Sequence, residues 1–292
     1  MSKPRTIARR VLGPLTGLLL FLQSALVLTG GAVRLTGSGM GCPTWPECVP
    51  GSYFPVEGQA EGALHAWIEF GNRLLTFALF FAAVATLIAV LRSGRRDLRF
   101  LAATQILGIL AQGVLGGITV LTHLNPLSVA SHLLLSIILI AAATSLHSRR
   151  HHPQVRTSST QVRISRLSLA HIVIAFIAIA IGTLVTGSGP HAGDVDAPRL
   201  DFDISTITRL HSSSVWILLI ITFIFYRSKD LRFDTKKWLN IFILLAVAQG
   251  ALGYIQYWLA VPELLVGFHL LGSVLVWIAA WRIRLSVVRK PA

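Results

Sequence analysis

The stretch FLAATQILGILAQGVLGGITVLTHLNPLSVASHLLLSIILIAAATSLHS, residues 100–148, contains no Asp, Glu, Lys or Arg. A helix that crosses a bilayer needs about 20 mainly apolar residues, so this stretch is long enough to cross twice. The segment HLNP at residues 123–126 interrupts it with polar and helix-breaking residues. We therefore predict two membrane-spanning helices joined by a short turn.

Further charge-free stretches bring the predicted number of spans to eight. They cover residues 11–33, 74–91, 167–190, 210–226, 238–262 and 264–281. Only 13% of the 292 residues are charged, whereas soluble domains carry about 25%. The first stretch is too long for a cleaved signal peptide, and further spans follow it. The sequence predicts an all-α integral membrane protein with eight transmembrane helices.

The basic residues indicate how the chain is oriented. The net charge is +14, from 26 basic and 12 acidic residues. With eight spans, most basic residues lie on the side of the two termini, and most acidic residues lie in the opposite loops. By the positive-inside rule, both termini are expected to be cytoplasmic. The charge is therefore a topology signal and not a sign of nucleic-acid binding.

Short motifs recur in the two halves of the chain. The motif TGSG ends the first span at residues 36–39 and the fifth at residues 186–189. Because each half has an even number of spans, the halves have the same orientation and form parallel repeats. We predict two four-helix bundles, at residues 1–150 and 167–292, joined by a basic cytoplasmic linker at 151–166.

A glutamine and a histidine recur with the same spacing in both halves. Gln112 precedes His132 by as many residues as Gln249 precedes His269. Glycines follow each glutamine, namely Gly113, Gly116, Gly117, Gly250 and Gly253. These small residues permit close helix approach or leave room beside a flat ligand, and the sequence does not choose between the two.

The second span begins with a cluster of ionisable and polar residues. His65, Glu69, Asn72 and Arg73 fall on one face of a helix. Ionisable groups cost about 2.5 to 3.5 kcal/mol inside a bilayer, so each is a functional candidate. The alternative is that the long side chains extend to the membrane interface. We favour a functional role for Glu69 in particular.

The sixth span begins near His211, which aligns with Asn72 of the first half. His211 and His269 then come from two helices at similar depth. Two imidazoles that face each other across a bundle form a bis-histidine haem site. The alternative is that each histidine only makes structural hydrogen bonds, but the repeat-matched positions favour haem.

Both cysteines, Cys42 and Cys48, lie in the first outer loop. A close pair in an oxidising compartment can form a disulfide. Two free thiols or a metal-binding pair are the alternatives. A structural metal usually takes four ligands, and the sequence has no further cysteine.

Three features together resemble the haem A synthase family. They are GSGMGCPTWP at residues 37–46, EFGNR at residues 69–73 and the repeated Gln-to-His spacing. The resemblance extends over nearly the whole chain. It implies an eight-helix oxidoreductase of the bacterial plasma membrane that oxidises a methyl group of haem O to a formyl group. The product, haem A, serves cytochrome oxidase, and a haem b relays electrons.

The resemblance also implies roles for single residues. His211 and His269 match the haem b ligands, and His132 matches one ligand of the substrate haem O. Glu69 matches the acidic residue required for the oxidation. Cys42 and Cys48 match an outer-loop pair that is a disulfide in many members. From its charge, Arg73 is a candidate to bind a haem propionate.

One position departs from the family pattern. Many members have a histidine where this chain has Asn72, and asparagine is a poor ligand for haem iron. His65 lies about 10 Å farther along the helix, too far to replace it. We expect His132 on one face of the iron, with the other face open or occupied by water. An open position suits the oxidation of an unactivated methyl group.

Two other functional classes remain open. A membrane electron-transfer cytochrome explains the histidines but gives Glu69 no purpose. A haem transporter or chaperone would favour sites near the membrane midplane, whereas the candidate ligands lie near helix ends. The resemblance implies haem O synthase and oxidase assembly factors as partners, and it leaves the electron donor unidentified.

Overall fold

The computed structural model describes residues 3–60, 62–151, 154–156, 162–229 and 231–291. Within them lie eight helices that are long and apolar enough to cross a membrane. They are α1 (Lys3–Leu35), α2 (Ala63–Ser93), α3 (Arg99–Leu121), α4 (Pro126–Ser148), α5 (Val162–Ser188), α6 (Ile204–Tyr226), α7 (Phe233–Trp258) and α8 (Glu263–Val288). The predicted all-α integral membrane fold with eight spans is confirmed.

The turn predicted in the middle of the charge-free stretch lies between α3 and α4. His123 and Leu124 adopt left-handed φ angles of 50° and 60° there. The side chain of Asn125 then accepts a hydrogen bond from the Leu127 N–H, and Pro126 occupies the first turn of α4. Asparagine at the N-cap with proline just after it starts a helix with little cost. The turn thereby fixes where the histidine-bearing helix α4 begins.

The start of α6 is fixed in a similar way. The Asp203 carboxylate caps the helix by accepting a hydrogen bond from the Thr206 N–H. Hydrogen bonds from the hydroxyls of Ser205 and Thr206 lower the pKa of Asp203 to about 2, so the cap stays ionised at physiological pH. His211 lies two turns into the helix that this cap begins.

Helices pair in chain order, and the two halves meet along four of them. α1 packs on α2, α3 on α4, α5 on α6 and α7 on α8, while contacts between the halves involve α1, α4, α5 and α8. We call the end that carries residues 36–62 the loop end, and the end near the chain termini the terminal end. One core cluster lies within the first half, and a second combines residues of α1 and α4 with residues of the second half. The division of the chain into two four-helix bundles, residues 1–150 and 167–292, remains a prediction.

Two tryptophans, the buried Trp277 and the half-buried Trp281, tie α8 to α4 across the halves. Trp277 Nε1 donates to the Ile137 carbonyl at 2.7 Å, and Trp281 Nε1 donates to Ser145 Oγ at 2.7 Å. Nearer the loop end, Arg34 of α1 donates to the carbonyls of Thr186 and His191. The halves are therefore held together both within the apolar region and at the loop end.

The predicted linker contains one short strand. β1 (Gln154–Arg156) pairs antiparallel with β2 (Arg289–Pro291). This ribbon joins the segment between the halves to the end of α8, and it was not predicted from the sequence. Residues 152–153 and 157–161 of the predicted linker lie outside the described residues.

Candidate functional site

The two histidines of the second half face each other across the bundle. His211 of α6 and His269 of α8 have ring centroids 6.5 Å apart, with ring planes at 70°. With metal–nitrogen bonds of about 2.0 Å and about 1.1 Å from each nitrogen to its ring centre, two imidazoles on one iron would have ring centres about 6.2 Å apart. The observed separation therefore fits two histidines on opposite faces of one haem iron.

The orientation of His211 leaves one ring nitrogen free for the metal. Its Nδ1 makes a hydrogen bond to the Ala178 carbonyl of α5, at 3.0 Å. A histidine whose Nδ1–H is held by a carbonyl presents Nε2 as the ligand. Gly182, one turn farther along α5, makes room for the ring, because a methyl group there would lie 3.2 Å from His211 Cε1.

The histidines of α4 and α8 have the same surroundings. A methyl group at Gly116 would lie 3.4 Å from His132 Cε1 and 3.9 Å from its Nδ1. A methyl group at Gly253 would lie at the same two distances from His269. The sequence left the role of these glycines open, and the structure places them against the histidine rings. Gly113 and Gly250, in contrast, have no atom within 4 Å of the added methyl position.

Asn72, which stands where the sequence led us to expect a second histidine in the first half, is held by α1. Its Oδ1 accepts a hydrogen bond from Thr29 Oγ1 at 2.7 Å. Its Nδ2 makes no hydrogen bond to a described residue. His65 is engaged elsewhere, since its Nδ1 lies 2.9 Å from Ser38 Oγ in the loop after α1. His65 therefore belongs to the loop network, apart from Asn72.

The buried Glu69 and the half-buried Arg73 form an ion pair at the loop end of α2. Arg73 donates to Glu69 Oε1 through Nη2 at 2.7 Å and through Nε at 3.1 Å. Glu69 is 6% exposed, and its other oxygen accepts a hydrogen bond from the Cys42 N–H at 2.7 Å. Both carboxylate oxygens are thus bound. This pairing was not predicted from the sequence, which indicated only that the two residues share a face.

Most of the Arg73 guanidinium is used within the protein. Besides Glu69, it donates to the carbonyls of Cys42 and Thr44 through Nη2 and to that of Glu47 through Nη1. A guanidinium has five N–H groups. One N–H of Nη1 is left for a further acceptor such as a propionate.

Cys42 and Cys48 form a disulfide, which settles the pairing that the sequence left open. Both cysteines are fully buried, and Phe70 of α2 packs against them. Gly41 lets this loop lie directly on the first turn of α2, because a methyl group there would overlap the backbone at His65 and Ala66. The disulfide loop is therefore a rigid cover over the start of α2, where Glu69 lies.

The remaining histidines form no comparable site. His171 is fully buried, with its ring 4.4 Å from that of Phe242 and without a hydrogen bond to either nitrogen. His147 lies 3.1 Å from the Thr16 hydroxyl. Across the described ranges, no group of three or more His, Cys, Asp or Glu side chains could hold a bare metal ion. Paired histidines with glycine-lined rings fit a haem better than a bare metal ion.

Sequence reasoning missed Ala178, Gly182 and Thr29. The first orients His211 through its backbone carbonyl, which carries no sequence signal. Gly182 lies outside the repeated motifs, so nothing in the pattern distinguished it from other small residues in spans. Thr29 contacts Asn72 across two helices, and such a contact depends on how the helices are rotated.

A family model and several curated relatives of this chain point to the same protein family. A family model described as cytochrome oxidase assembly protein (COX15-CtaA) matches residues 14–193. This range includes His132, Glu69 and Asn72, whereas His211 and His269 lie beyond it.

Three relatives, each named "Heme A synthase", illustrate the extent of the similarity. The protein of Geobacillus kaustophilus is 31% identical over 34% of this chain and 30% of its own length. That of Shewanella oneidensis is 28% identical over 56% of this chain and 51% of its own length. That of Sinorhizobium fredii is 24% identical over 97% of this chain and 92% of its own length. The first two matches thus span about a third and about half of those relatives.

Proposed function

Because the chain belongs to the cytochrome oxidase assembly protein family (COX15-CtaA), we propose that it is a haem A synthase of the bacterial plasma membrane. Its reaction is the oxidation of a methyl group of haem O to a formyl group, which gives haem A for cytochrome oxidase. The observation that carries the proposal is the 6.5 Å separation of the His211 and His269 rings, which fits a haem iron between them. Both termini are cytoplasmic, in keeping with the distribution of basic residues.

In this proposal the second half holds a permanent haem b. His211 and His269 would hold it, and Gly182 and Gly253 allow their rings to lie close to α5 and α7. The Ala178 carbonyl keeps His211 in the tautomer that ligates through Nε2. Iron with two histidine ligands has no free position, so this site is suited to electron transfer and not to substrate chemistry.

The first half binds haem O through His132. Asn72 stands where a second ligand would be, and Thr29 holds its side-chain oxygen. A carboxamide is a poor ligand for haem iron, so His132 would be the side chain that holds the haem in this half. The haem bound there would supply the oxidising chemistry.

Glu69 and Arg73 act beside the first-half site. Glu69 moves a proton or stabilises positive charge at the reacting methyl group. Arg73 holds the Glu69 carboxylate and the disulfide loop in place, and its remaining Nη1 N–H binds a haem propionate. The loop excludes water from this region because its disulfide is packed on Phe70.

The substrate and product define the expected partners. Haem O comes from haem O synthase, and haem A passes to oxidase assembly factors or to the oxidase itself. An external electron donor reduces haem b. Lipid surrounds the eight helices, and no nucleic acid takes part.

The test is extraction and chromatography of the haems bound to the purified protein, produced in cells that also supply haem O. Haem A or its hydroxylated precursor together with haem b is expected. Haem b alone, with haem O supplied and unchanged, would refute the synthase and favour a membrane electron-transfer cytochrome.

The variant Glu69→Gln tests the role of the carboxylate. It keeps a side-chain oxygen for the Cys42 N–H, so the loop should stay in place, whereas Glu69→Ala removes both contacts. Haem binding should persist in the Gln variant, and haem A should be lost. A Glu69→Gln protein that makes haem A at the normal rate would contradict the proposed role of Glu69.

A further inference from the structure

The repeated glutamines of α3 and α7 have unused hydrogen-bond acceptors. The side-chain oxygens of Gln112 and Gln249 are both buried and have no hydrogen-bond partner. A buried amide oxygen without a donor costs about 1–3 kcal/mol. Gln112 and Gln249 occupy matching positions of the repeat, and both carry this cost. This indicates that each half provides a donor of the same kind for the glutamine oxygen.

The two glutamines lie beside the histidines of α4 and α8. Gln112 Nε2 donates to the His132 carbonyl at 3.0 Å and to Ser136 Oγ at 2.6 Å. In the second half, a methyl group at Gly272 would overlap the Gln249 amide, so this amide lies against α8 within one turn of His269. In both halves the glutamine is therefore packed next to the turn of helix that carries the histidine.

The rings of His132 and His269 turn their Nδ1 edges toward α3 and α7, the helices that carry the two glutamines. Gly253 approaches Cε1 and Nδ1 of His269, and Gly253 lies one turn from Gln249 on one face of α7. His269 Nδ1 is itself buried and has no hydrogen-bond partner. An unused acceptor and an unused donor thus lie on facing helices within about one turn of each other.

We propose that Gln249 and Gln112 are positioning residues for the histidine ligands of α8 and α4. The glutamine Oε1 accepts the Nδ1–H of the matched histidine, directly or across one water, and so fixes Nε2 toward the iron. Histidines that bind metals nearly always donate their other ring N–H to such an acceptor. His211 has this partner in Ala178, and the glutamines provide it for His269 and His132. This inference rests on the proposed haem sites.

The proposal predicts an electronic effect on the haem. An acceptor on Nδ1–H makes the imidazole a stronger donor to iron, which stabilises the ferric state. Gln249→Leu keeps most of the side-chain volume and removes the acceptor, so it should favour ferrous haem b. Gln249→Glu strengthens the acceptor and should favour ferric haem b. If Gln249 only filled space, the Leu and Glu variants would not shift the balance between ferric and ferrous haem b in opposite directions.

The experiment is a redox titration of haem b in the purified full-length protein, in which optical spectroscopy measures the fractions of ferric and ferrous haem. The midpoint potentials should rise in the order Glu, Gln, Leu at position 249. We expect about a tenfold difference in the ferric-to-ferrous ratio between the Leu and Glu variants at fixed ambient potential, which is about 59 mV for one electron. Equal potentials in the three proteins would overturn the proposal.

A third glutamine on α3 provides the control. Gln105 is fully buried, but it accepts from Gln23 at 2.9 Å and donates to the Leu139 carbonyl at 3.1 Å. Gln105→Leu should reduce stability and leave the haem b potential unchanged. If Gln105→Leu shifted the haem b potential as much as Gln249→Leu does, the loss of any buried glutamine would have this effect. That result would refute a specific role for Gln249.

The outcomes separate this proposal from the proposed function. If the wild-type protein binds no haem b, the haem site itself is wrong. If haem b is bound in all variants and its potential does not move, only the role of Gln249 is wrong. Should the Leu variant fail to accumulate, the Glu variant decides alone, because an unchanged potential there refutes the proposal.

Discussion

Gly182→Ala should weaken haem b binding although alanine is the better helix former. The added methyl group would lie 3.2 Å from Cε1 and 3.5 Å from Nδ1 of His211. Carbon atoms pack best at about 3.5–4.0 Å, so the ring must move by a few tenths of an ångström. That movement disturbs the 3.0 Å hydrogen bond from His211 to the Ala178 carbonyl, which orients the ligand.

The expected loss follows from two contributions. Overpacking a well-filled site costs about 1–3 kcal/mol, and a weakened hydrogen bond contributes about 0.5–1.5 kcal/mol within that range. Since about 1.4 kcal/mol corresponds to a factor of ten, haem b should bind about 5- to 150-fold more weakly. In the opposite direction, glycine to alanine stabilises a helix by about 1 kcal/mol. Helix propensity alone therefore predicts a more stable protein with unchanged haem.

The assay is the rate of haem transfer from the purified protein to excess apomyoglobin, together with the haem-to-protein ratio. Gly250→Ala is the matched control, because no atom lies within 4 Å of its added methyl group. It should retain haem b as the wild type does. Retention of haem b by Gly182→Ala at the wild-type level would refute the role of Gly182 as space for the His211 ring, and equal losses in both variants would do the same.

Three further changes test other parts of the structure. Asn72→His should give the first half a second histidine ligand and convert its haem to a low-spin form, which electron paramagnetic resonance would detect; an unchanged spin state would contradict the placement of Asn72 beside the iron. Replacing Cys42 and Cys48 together by serine should free the loop over α2 at a cost of about 2 kcal/mol by the chain-entropy estimate, and limited proteolysis should then cut between residues 43 and 56; a loop as resistant as the wild type would argue against the disulfide as its main restraint. Trp277→Phe should lose about 1 kcal/mol of stability with its hydrogen bond to the Ile137 carbonyl, measured by thermal unfolding against Trp258→Phe as an exposed control; equal melting temperatures of the two variants would rule out that contribution.

The helices could be predicted because each depends on local composition. The charge-free stretch at residues 100–148 was long enough for two spans, and Asn125 with Pro126 marked the start of the second. Hydrophobic length and helix-capping chemistry act within a few residues, so they can be read from one sequence. The spacing from Gln249 to His269 likewise required only counting.

The contacts around Glu69 could not be predicted in the same way. The sequence placed Glu69 and Arg73 one turn apart, but the partners of Arg73 are carbonyls of a loop whose path depends on a disulfide and on Gly41. Backbone carbonyls carry no residue-specific signal. The expectation that Arg73 reaches a propionate therefore stays a prediction, narrowed by the structure to the one N–H that its other contacts leave.

Under the proposed function, one repeated fold would support two different haem sites. α5 provides the Ala178 carbonyl for an imidazole, and α1 provides the Thr29 hydroxyl for a carboxamide. In each half the first helix orients the residue that the second helix presents, so the supporting contact is kept while the ligand changes. In that proposal a histidine in place of Asn72 would give the first half a second histidine ligand, the role that His211 would have in the second half. We infer that the difference between Asn72 and His211 separates the substrate site from the electron-transfer site, while the histidines of α4 and α8 keep the same surroundings in both.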